Sequence, residues 1–401
     1  MLESWRWFGP NDPVSLDDVR QTGAKNVVSA LHDVPIGEVW TISKIKSHQS
    51  LINKFNRSSS PLNWSVIESI PLHEDIKLGR KNSQVYIRNW ITSMENAAKS
   101  GIKTICYNFM PVIDWTRTDL NLHLPNGAFA LSFDYKKISA FDLFILQRPN
   151  ARDEYSDSEI DEARETFDNM PQDQRDQLTS NIIRGLPGGI SGGHDLKDFS
   201  SALANYQNVS SADLRENLHN FISQVIPRAE LAGVKLAIHP DDPPRKLFGL
   251  PRIISTQNDL EELFSREPSP ANGLTLCVGS LGSRRDNDVV SIATRYANRT
   301  YFAHLRAVKL DRDDNTSFFE ANHLDGDVNM IKILRILLNE ERRRRLDYQN
   351  NKNEIFFRPD HGHQMMDDIG KKINPGYSAI GRLKGLAELR GAIRALADEL
   401  S

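Results

Sequence analysis

The 401-residue sequence has very little cysteine and lacks any long apolar run. Its two cysteines, Cys106 and Cys277, are too few for a disulfide framework and fit a reducing compartment. No apolar stretch approaches the roughly 18 residues of a membrane-spanning helix, and no basic segment followed by an apolar one marks a signal peptide. These absences predict a cytoplasmic protein that has no membrane partner.

An excess of charge of one sign is also missing. The 50 basic and 53 acidic side chains leave a formal net charge of -3. Nucleic-acid-binding domains carry a basic surface, so this balance gives no electrostatic reason to expect a nucleic acid as partner. The apolar and charged fractions are those of ordinary globular proteins, and formation of a homo-oligomer stays open at this stage.

Short apolar runs alternate with helical patterns along the chain. Seven runs have the length of strands and are mostly apolar on both faces, as parallel strands covered by helices are. They are residues 26–31, 64–70, 103–109, 235–239, 274–278, 301–306 and 354–358. Apolar residues at three- and four-residue spacing predict helices, among them residues 85–99, 214–229, 288–297 and 383–400.

Eight strands alternating with helices would form a (β/α)8 TIM barrel, and the eighth strand is expected at residues 181–186, before the turn residues 187–189. Residues 115–210 are otherwise polar and irregular, which predicts a helical or irregular insertion before this fourth strand. We therefore expect a single barrel domain over residues 1–401. A doubly wound open sheet is the alternative, but no glycine-rich phosphate loop follows Leu31.

Four successive predicted strands end in side chains that bind metals. These are His239, Cys277, His304 and Asp360, whereas Cys106 lies within an apolar strand and is expected in the core. Active sites of (β/α)8 barrels lie at the C-terminal strand ends, and neighbouring strands are about 5 Å apart, so the four side chains can converge. Two imidazoles, a thiolate and a carboxylate suit Zn, Fe(II), Co or Mn, and room for a substrate favours Fe(II) or Mn.

Several long, ungapped motifs extend over nearly the whole chain. They are WRWFGPNDPV (5–14), YNFMPVIDWTR (107–117), IHPDDPP (238–244), LCVGS (276–280), HLDGDV (323–328), RPDHG (358–362) and PGY (375–377). In these motifs the sequence resembles the mannonate dehydratase family, the barrel type related to the xylose-isomerase-like superfamily. The resemblance implies conversion of D-mannonate to 2-dehydro-3-deoxy-D-gluconate and water with Mn(II) or Fe(II), a hydro-lyase step of glucuronate catabolism.

The same resemblance implies that the four residues above are the metal ligands and that Arg358 and Tyr377 are catalytic. The reaction needs a base for the C2 proton and an acid for the departing hydroxyl. Tyr377, Asp360 and His361 are the candidates, and which is acid and which is base stays open. Arg358 has the shape to bind a carboxylate with two hydrogen bonds.

Other βα loops supply candidate substrate contacts, namely Asn108, Arg117, His323 and Asp325. Two rival functions also stay open. A metal-dependent sugar isomerase or epimerase on the same barrel would use several carboxylates and often two metals. A non-catalytic sugar-acid sensor would keep the metal only for binding.

Overall fold

Eight parallel strands close into a barrel in the computed structural model of the protein, which describes residues 1–54, 60–185, 195–312, 316–347 and 354–400. The described strands, in chain order, are β1 (Leu2–Arg6), β2 (Asn26–Ser29), β3 (Asn63–Glu68), β4 (Thr104–Tyr107), β5 (Asp119–His123), β6 (Phe129–Phe133), β7 (Lys235–Ile238), β8 (Asn272–Cys277), β9 (Thr300–His304), β10 (Val308–Leu310), β11 (Phe318–Glu320) and β12 (Phe356–Arg358). The order around the barrel is β1-β12-β9-β8-β7-β4-β3-β2. The predicted (β/α)8 barrel is confirmed.

At least one helix follows each barrel strand along the chain. The α-helices are α1 (Leu16–Gln21), α2 (Ile42–Asn53), α3 (Glu74–Lys77), α4 (Ser83–Lys99), α5 (Tyr135–Ala140), α6 (Asp157–Asp168), α7 (Gln172–Ile183), α8 (Leu196–Ala204), α9 (Ser211–Ala232), α10 (Gln257–Arg266), α11 (Val278–Gly282), α12 (Val289–Tyr296), α13 (Met330–Asp347) and α14 (Ala379–Leu400). The four helices predicted from spacing are present as α4, α9, α12 and α14. In the described part of the chain, no helix combines the length and apolarity needed to cross a bilayer.

Amphipathic spacing explains how the helices cover the barrel. In α9, Leu214, Leu218, Phe221 and Val225 recur every three or four residues, and all are buried. The helix ends at Gly233, whose φ of 66° is a left-handed conformation that glycine adopts without strain. The polar side chains between these four apolar residues lie on the outer face, so α9 presents one apolar stripe to the strands.

A small core fills the barrel interior. Its members are Val28, Val66, Cys106, Ala237 and Phe302, which come from β2, β3, β4, β7 and β9. Alternate residues of a strand point to opposite faces, so these side chains face inward while their neighbours pack against helices. Cys106 is 2% exposed in this core, as predicted.

The strand that closes the barrel is the N-terminal β1, and the prediction of a strand at residues 181–186 is wrong. β1 pairs with both β12 and β2. Its sequence carries no continuous apolar run because Ser4 and Arg6 bring polar groups into the barrel. Ser4 Oγ donates to the main-chain oxygen of Phe357 at 2.7 Å, so the buried hydroxyl is satisfied.

Residues 181–183 form the last turn of α7 instead. Leu178 and Ile182 of that helix are buried and four residues apart, which is the helical period. The end of the predicted strand at Leu186 and the turn at residues 187–189 lie outside the described residues.

The insertion follows the fourth barrel strand, whereas the sequence pattern predicted it before that strand. Between β4 and β7 the chain forms β5, β6 and the helices from α5 to α9. β6 pairs antiparallel with β5 and β11, and β11 with β10, which makes a separate four-stranded sheet. Because β5 follows the C-terminal end of β4 and β10 follows that of β9, this small sheet lies at the C-terminal end of the barrel.

Candidate active site

A cavity of about 520 Å³ opens at the C-terminal ends of the barrel strands. Most of the candidate residues line it. The polar lining residues include Arg6, Glu68, Asn108, His239, His304, Arg358, Asp360, His361 and Tyr377. All but Tyr377 stand at or just after the end of a strand, and the parallel barrel brings those ends to one face.

Three potential metal donors converge at the ends of β7, β8 and β9. The ligand atoms of His239, Cys277 and His304 lie within 4.8 Å of one another. His239 Nε2 is 3.1 Å from His304 Nδ1. β8 pairs with both β7 and β9, and Cys277 is the register partner of His304. Adjacent strands thus bring together residues that are far apart in the sequence.

Electrostatics within this cluster favour the charged forms. Burial by itself lowers the pKa of His239, but Cys277 together with the carboxylates of Glu68 and Asp242 raises that pKa to about 9. Burial raises the pKa of Cys277, but His239 and His304 together lower that pKa to about 5. Cys277 is therefore a thiolate at neutral pH, which is the state in which cysteine binds metals.

The donor set fits a divalent transition metal. The ligand atoms of His239, Cys277 and His304 lie close enough together to share one ion, and His304 Nδ1 is the nitrogen that lies next to His239. One of the three donors is a thiolate. Two imidazoles and a thiolate bind Fe, Mn, Co or Zn more readily than Mg or Ca.

Asp360 lies beside this cluster. Its Oδ2 is 3.9 Å from His304 Nδ1, and its Oδ1 accepts a hydrogen bond from Arg358 Nη1. The φ of Asp360 is 70°, a left-handed conformation that is uncommon outside glycine and often marks functional sites. Burial favours the neutral acid, but Arg358 together with the neighbouring histidines and Arg306 holds the pKa of Asp360 well below its usual range. The fourth predicted ligand is thus an ionised carboxylate next to the three clustered donors.

Glu68, at the end of β3, lines the cavity but was not predicted from the sequence. Its Oε1 accepts a hydrogen bond from Arg358 Nη2 at 2.8 Å and lies 3.5 Å from His304 Nε2. Burial raises the pKa of Glu68, but Arg358, His304 and Arg6 together hold that pKa well below its usual range. The available signal was an acidic residue near the end of an apolar strand. Arg6, missed together with β1, donates to the main-chain oxygen of Glu68.

Tyr377 and His361 pack against each other in the cavity wall. Their ring centroids are 5.1 Å apart with the planes at 89°, and Phe8 packs on Tyr377 at 4.8 Å. Burial, and then Asp360, raise the pKa of Tyr377, so its phenol is protonated at neutral pH. His361 Nδ1 is 3.1 Å from Glu320 Oε1, and Nε2 is 4.0 Å from Asp360 Oδ1.

Arg117, a predicted substrate contact, lies in a buried ion-pair network and is not among the residues that line the cavity. Its guanidinium is 3.1 Å from Asp242 Oδ1 and 3.1 Å from Glu320 Oε1. Arg306 contacts the same two carboxylates at 2.7 and 2.8 Å. The network joins β11 of the small sheet to the loops after β4, β7 and β9.

The other predicted substrate contacts divide into two groups. Asn108 lines the cavity. His323 and Asp325 are not among the lining residues. His323 is buried with Nε2 2.8 Å from the main-chain oxygen of Pro359, and exposed Asp325 accepts a hydrogen bond from Asn322. The first therefore supports the loop that carries Asp360, and the second faces solvent.

Comparison with known proteins gives a consistent result. The model of the family "D-mannonate dehydratase (UxuA)" matches residues 1–400. The mannonate dehydratase of Brucella canis is 50% identical over 99% of this chain and 97% of its own, and that of Marinomonas sp. is 48% identical over 98% of both. The crystal structure of mannonate dehydratase from Streptococcus suis is 33% identical, with a TM-score of 0.76 over 100% of this chain and 94% of its own.

These matches extend over almost the whole length of both partners, so the barrel, the insertion and the strand ends that line the cavity all fall within them. The resemblance found in the sequence motifs is confirmed. The chain belongs to the D-mannonate dehydratase family, a family of hydro-lyases.

Proposed function

We propose that this protein removes water from D-mannonate to give 2-dehydro-3-deoxy-D-gluconate, as a cytoplasmic step of glucuronate catabolism. One barrel domain spanning residues 1–401, with the insertion as part of it, carries the activity. The observation that supports this most is the convergence of three metal donors, two of which line the cavity, beside a protonated phenol and two ionised carboxylates.

His239, Cys277, His304 and Asp360 would hold Mn(II) or Fe(II). A divalent cation there supplies Lewis-acid stabilisation of the negative charge that develops on the substrate carboxylate when the C2 proton leaves. Three of these residues are clustered, and Asp360 Oδ2 lies 3.9 Å from His304 Nδ1.

Arg358 organises the carboxylates of the site. It binds Asp360 through Nη1 and Glu68 through Nη2, so both terminal nitrogens are engaged by protein groups. A guanidinium held in this way fixes the two carboxylates around His304. We therefore assign Arg358 to positioning Asp360, and not to a two-point contact with the substrate carboxylate.

We assign Tyr377 as the acid. Burial and Asp360 keep its phenol protonated at neutral pH, so it has a proton to give. The C3–O bond breaks heterolytically, the departing oxygen takes this proton and leaves as water, and the bond's electrons depart with it. A phenol with a raised pKa is unsuited to removing the weakly acidic C2 proton.

We assign His361 as the base. Its Nδ1 faces the Glu320 carboxylate at 3.1 Å, which favours the tautomer with a proton on Nδ1 and a lone pair on Nε2. Nε2 then accepts the C2 proton, and the electron pair of the C–H bond passes onto the substrate carboxylate. In the next step this pair forms the C2=C3 bond of the enol as the C3 hydroxyl leaves. The enol tautomerises to the 2-keto product. Asp360 is the weaker candidate because Arg358 lowers its pKa.

Asn108 is the predicted substrate contact that best fits this role, since it lines the cavity. Arg117, His323 and Asp325 would act at most through other residues, because they are bound elsewhere or face solvent.

The experiment is to incubate the purified protein with D-mannonate and Mn(II), or with Fe(II) without oxygen, and to assay a 2-keto-3-deoxy acid. We expect product with at least one metal. A product that has kept its water would indicate an isomerase or epimerase, and tight binding of D-mannonate without turnover would indicate a sensor. Either result would overturn the proposal.

A further inference from the structure

The sulfur of Cys277 receives two hydrogen bonds from Ser280. Ser280 Oγ donates to Sγ at 3.0 Å, and the main-chain nitrogen of Ser280 does so at 3.5 Å. Both residues are 0% exposed. Cys277 is the N-cap residue of α11, so the first turn of that helix brings Ser280 back over the sulfur.

Arg306 fixes the direction of the Ser280 hydroxyl. Its Nη1 donates to Ser280 Oγ at 3.3 Å. A serine hydroxyl has one proton to donate, so a donor on its oxygen leaves that proton for the sulfur. Arg306 is itself held by Asp242 at 2.7 Å and by Glu320 at 2.8 Å. The relay from Arg306 to Ser280 to Cys277 is therefore buried and rigid.

Gly279 provides the space for this relay. A Cβ on Gly279 would lie 2.5 Å from Arg306 Cγ and 2.7 Å from Cδ, closer than real Cβ atoms come. A glycine at this position lets the side chain of Arg306 cross the start of α11 and reach Ser280. This packing gives a physical reason for glycine and serine in residues 276–280.

We infer that Arg306, through Ser280, is a positioning residue that orients the Cys277 sulfur and weakens it as a donor, so that the site favours Mn(II) or Fe(II) over Zn(II). Hydrogen bonds to a thiolate draw electron density from the lone pair that a metal would use. Zn(II) takes four-coordinate sites with thiolate ligands readily, whereas Mn(II) prefers oxygen-rich sites with more ligands. Groups that hydrogen-bond to ligands typically change metal affinity by about 10–100-fold. The inference rests on the metal ligands of the proposed function.

The test uses the full-length protein loaded with Co(II), whose sulfur-to-cobalt charge-transfer band reports the donor strength of the thiolate. Ser280→Ala removes one hydrogen bond, so the band should move to longer wavelength. The ratio of Zn(II) to Mn(II) affinity, measured by competition, should rise by about 10-fold or more. Ser280→Thr keeps the hydroxyl and should restore both readouts.

Ser283→Ala is the matched control. Ser283 is buried at the end of the same short helix, and its Oγ donates to the main-chain oxygen of Ser280 at 2.8 Å. Its loss removes a hydroxyl without touching the sulfur, so the band and the affinity ratio should stay at their wild-type values.

Arg306→Lys tests the relay independently, even if Ser280→Ala does not fold. Lysine keeps the positive charge beside Asp242 and Glu320 but lacks the reach of Nη1, so a smaller shift in the same direction is expected. A wild-type band in Ser280→Ala, or in Arg306→Lys where Ser280→Ala does not fold, would overturn the inference. Absence of any sulfur-to-cobalt band in the wild-type protein would instead overturn the ligand assignment of the proposed function.

Discussion

Arg358 Nη2 donates to Glu68 Oε1 at 2.8 Å and thereby connects the C-terminal ends of β12 and β3, which are not neighbours in the barrel. The other terminal nitrogen of the same guanidinium binds Asp360. Both carboxylates lie within 4 Å of His304, at 3.5 and 3.9 Å. A single arginine thus fixes the negative charges that surround one of the proposed metal ligands.

Replacing Glu68 tests this arrangement. Glu68→Gln keeps the shape but removes the negative charge that faces Arg358, so the guanidinium beside Asp360 is held less firmly. We expect kcat to fall by about 10–100-fold while metal content stays near wild type. Glu216→Gln is the control, because Glu216 pairs with Arg266 on the surface. Wild-type turnover in Glu68→Gln would contradict the role given to this ion pair.

The two cysteines offer a direct comparison for the metal site. Cys277→Ala and His304→Ala each remove a clustered donor, and we expect both to lose bound metal in elemental analysis. Cys106→Ala removes a thiol from the barrel interior and should keep the metal. Full metal content in Cys277→Ala would show that the cluster is not the site.

Exchange of the C2 proton of the substrate with solvent distinguishes the proposed acid, Tyr377, from the proposed base, His361. Tyr377→Phe removes the proton donor but leaves His361, so we expect turnover to fall by about 10²–10⁴-fold. The C2 proton of D-mannonate should still exchange with deuterium from the solvent, and the metal should be retained. His361→Asn should lose both turnover and exchange. The reverse pattern, with exchange lost only in Tyr377→Phe, would make Tyr377 the base.

Burial of His48 should make the stability of the folded protein depend on pH in the acid range. Burial lowers the pKa of His48 to about 4, since its ring lies against Trp64 with Nε2 3.0 Å from Ser29 Oγ. Below the usual pKa of 6.5 the unfolded chain therefore binds a proton that the folded chain does not. The free energy of unfolding should fall by about 3 kcal/mol between pH 6.5 and pH 4 from this group alone.

This acid sensitivity is measured by chemical denaturation at a series of pH values. His48→Gln cannot take up the proton, so its stability should change less over the same range, although it starts lower. Parallel pH curves for the two proteins would show that His48 does not carry the effect.

The sequence predicted those parts of the fold whose periodicity is strong. Seven of the barrel strands and helices such as α9 follow from apolar runs and helical spacing. β1 does not, because Ser4 and Arg6 bring polar groups into the barrel and interrupt the apolar pattern. Residues 181–183 were predicted wrongly because they are largely buried within a helix. A short buried helical segment and a short strand can both be apolar, and apolar character alone does not distinguish them.

The residues at the strand ends predicted where the site lies, but they did not predict which side chains contact one another within it. His239, Cys277 and His304 converge because each ends one of three adjacent strands, a property that topology alone provides. Glu68 could not be predicted, because its place in the site depends on the contact that Arg358 makes with it across the C-terminal end of the barrel. The Arg117 and Arg306 network depends on how the small sheet packs, and no local pattern encodes that packing.

The central claim is that the cluster of His239, Cys277 and His304 supports dehydration of D-mannonate. The most direct measurement is the rate of 2-keto-3-deoxy acid formation from D-mannonate with Mn(II) or Fe(II), for the wild type and for Cys277→Ala in parallel. We predict product from the wild type and loss of product with loss of metal in the variant. No product from the metal-loaded wild type, or equal rates in the two proteins, would contradict the claim.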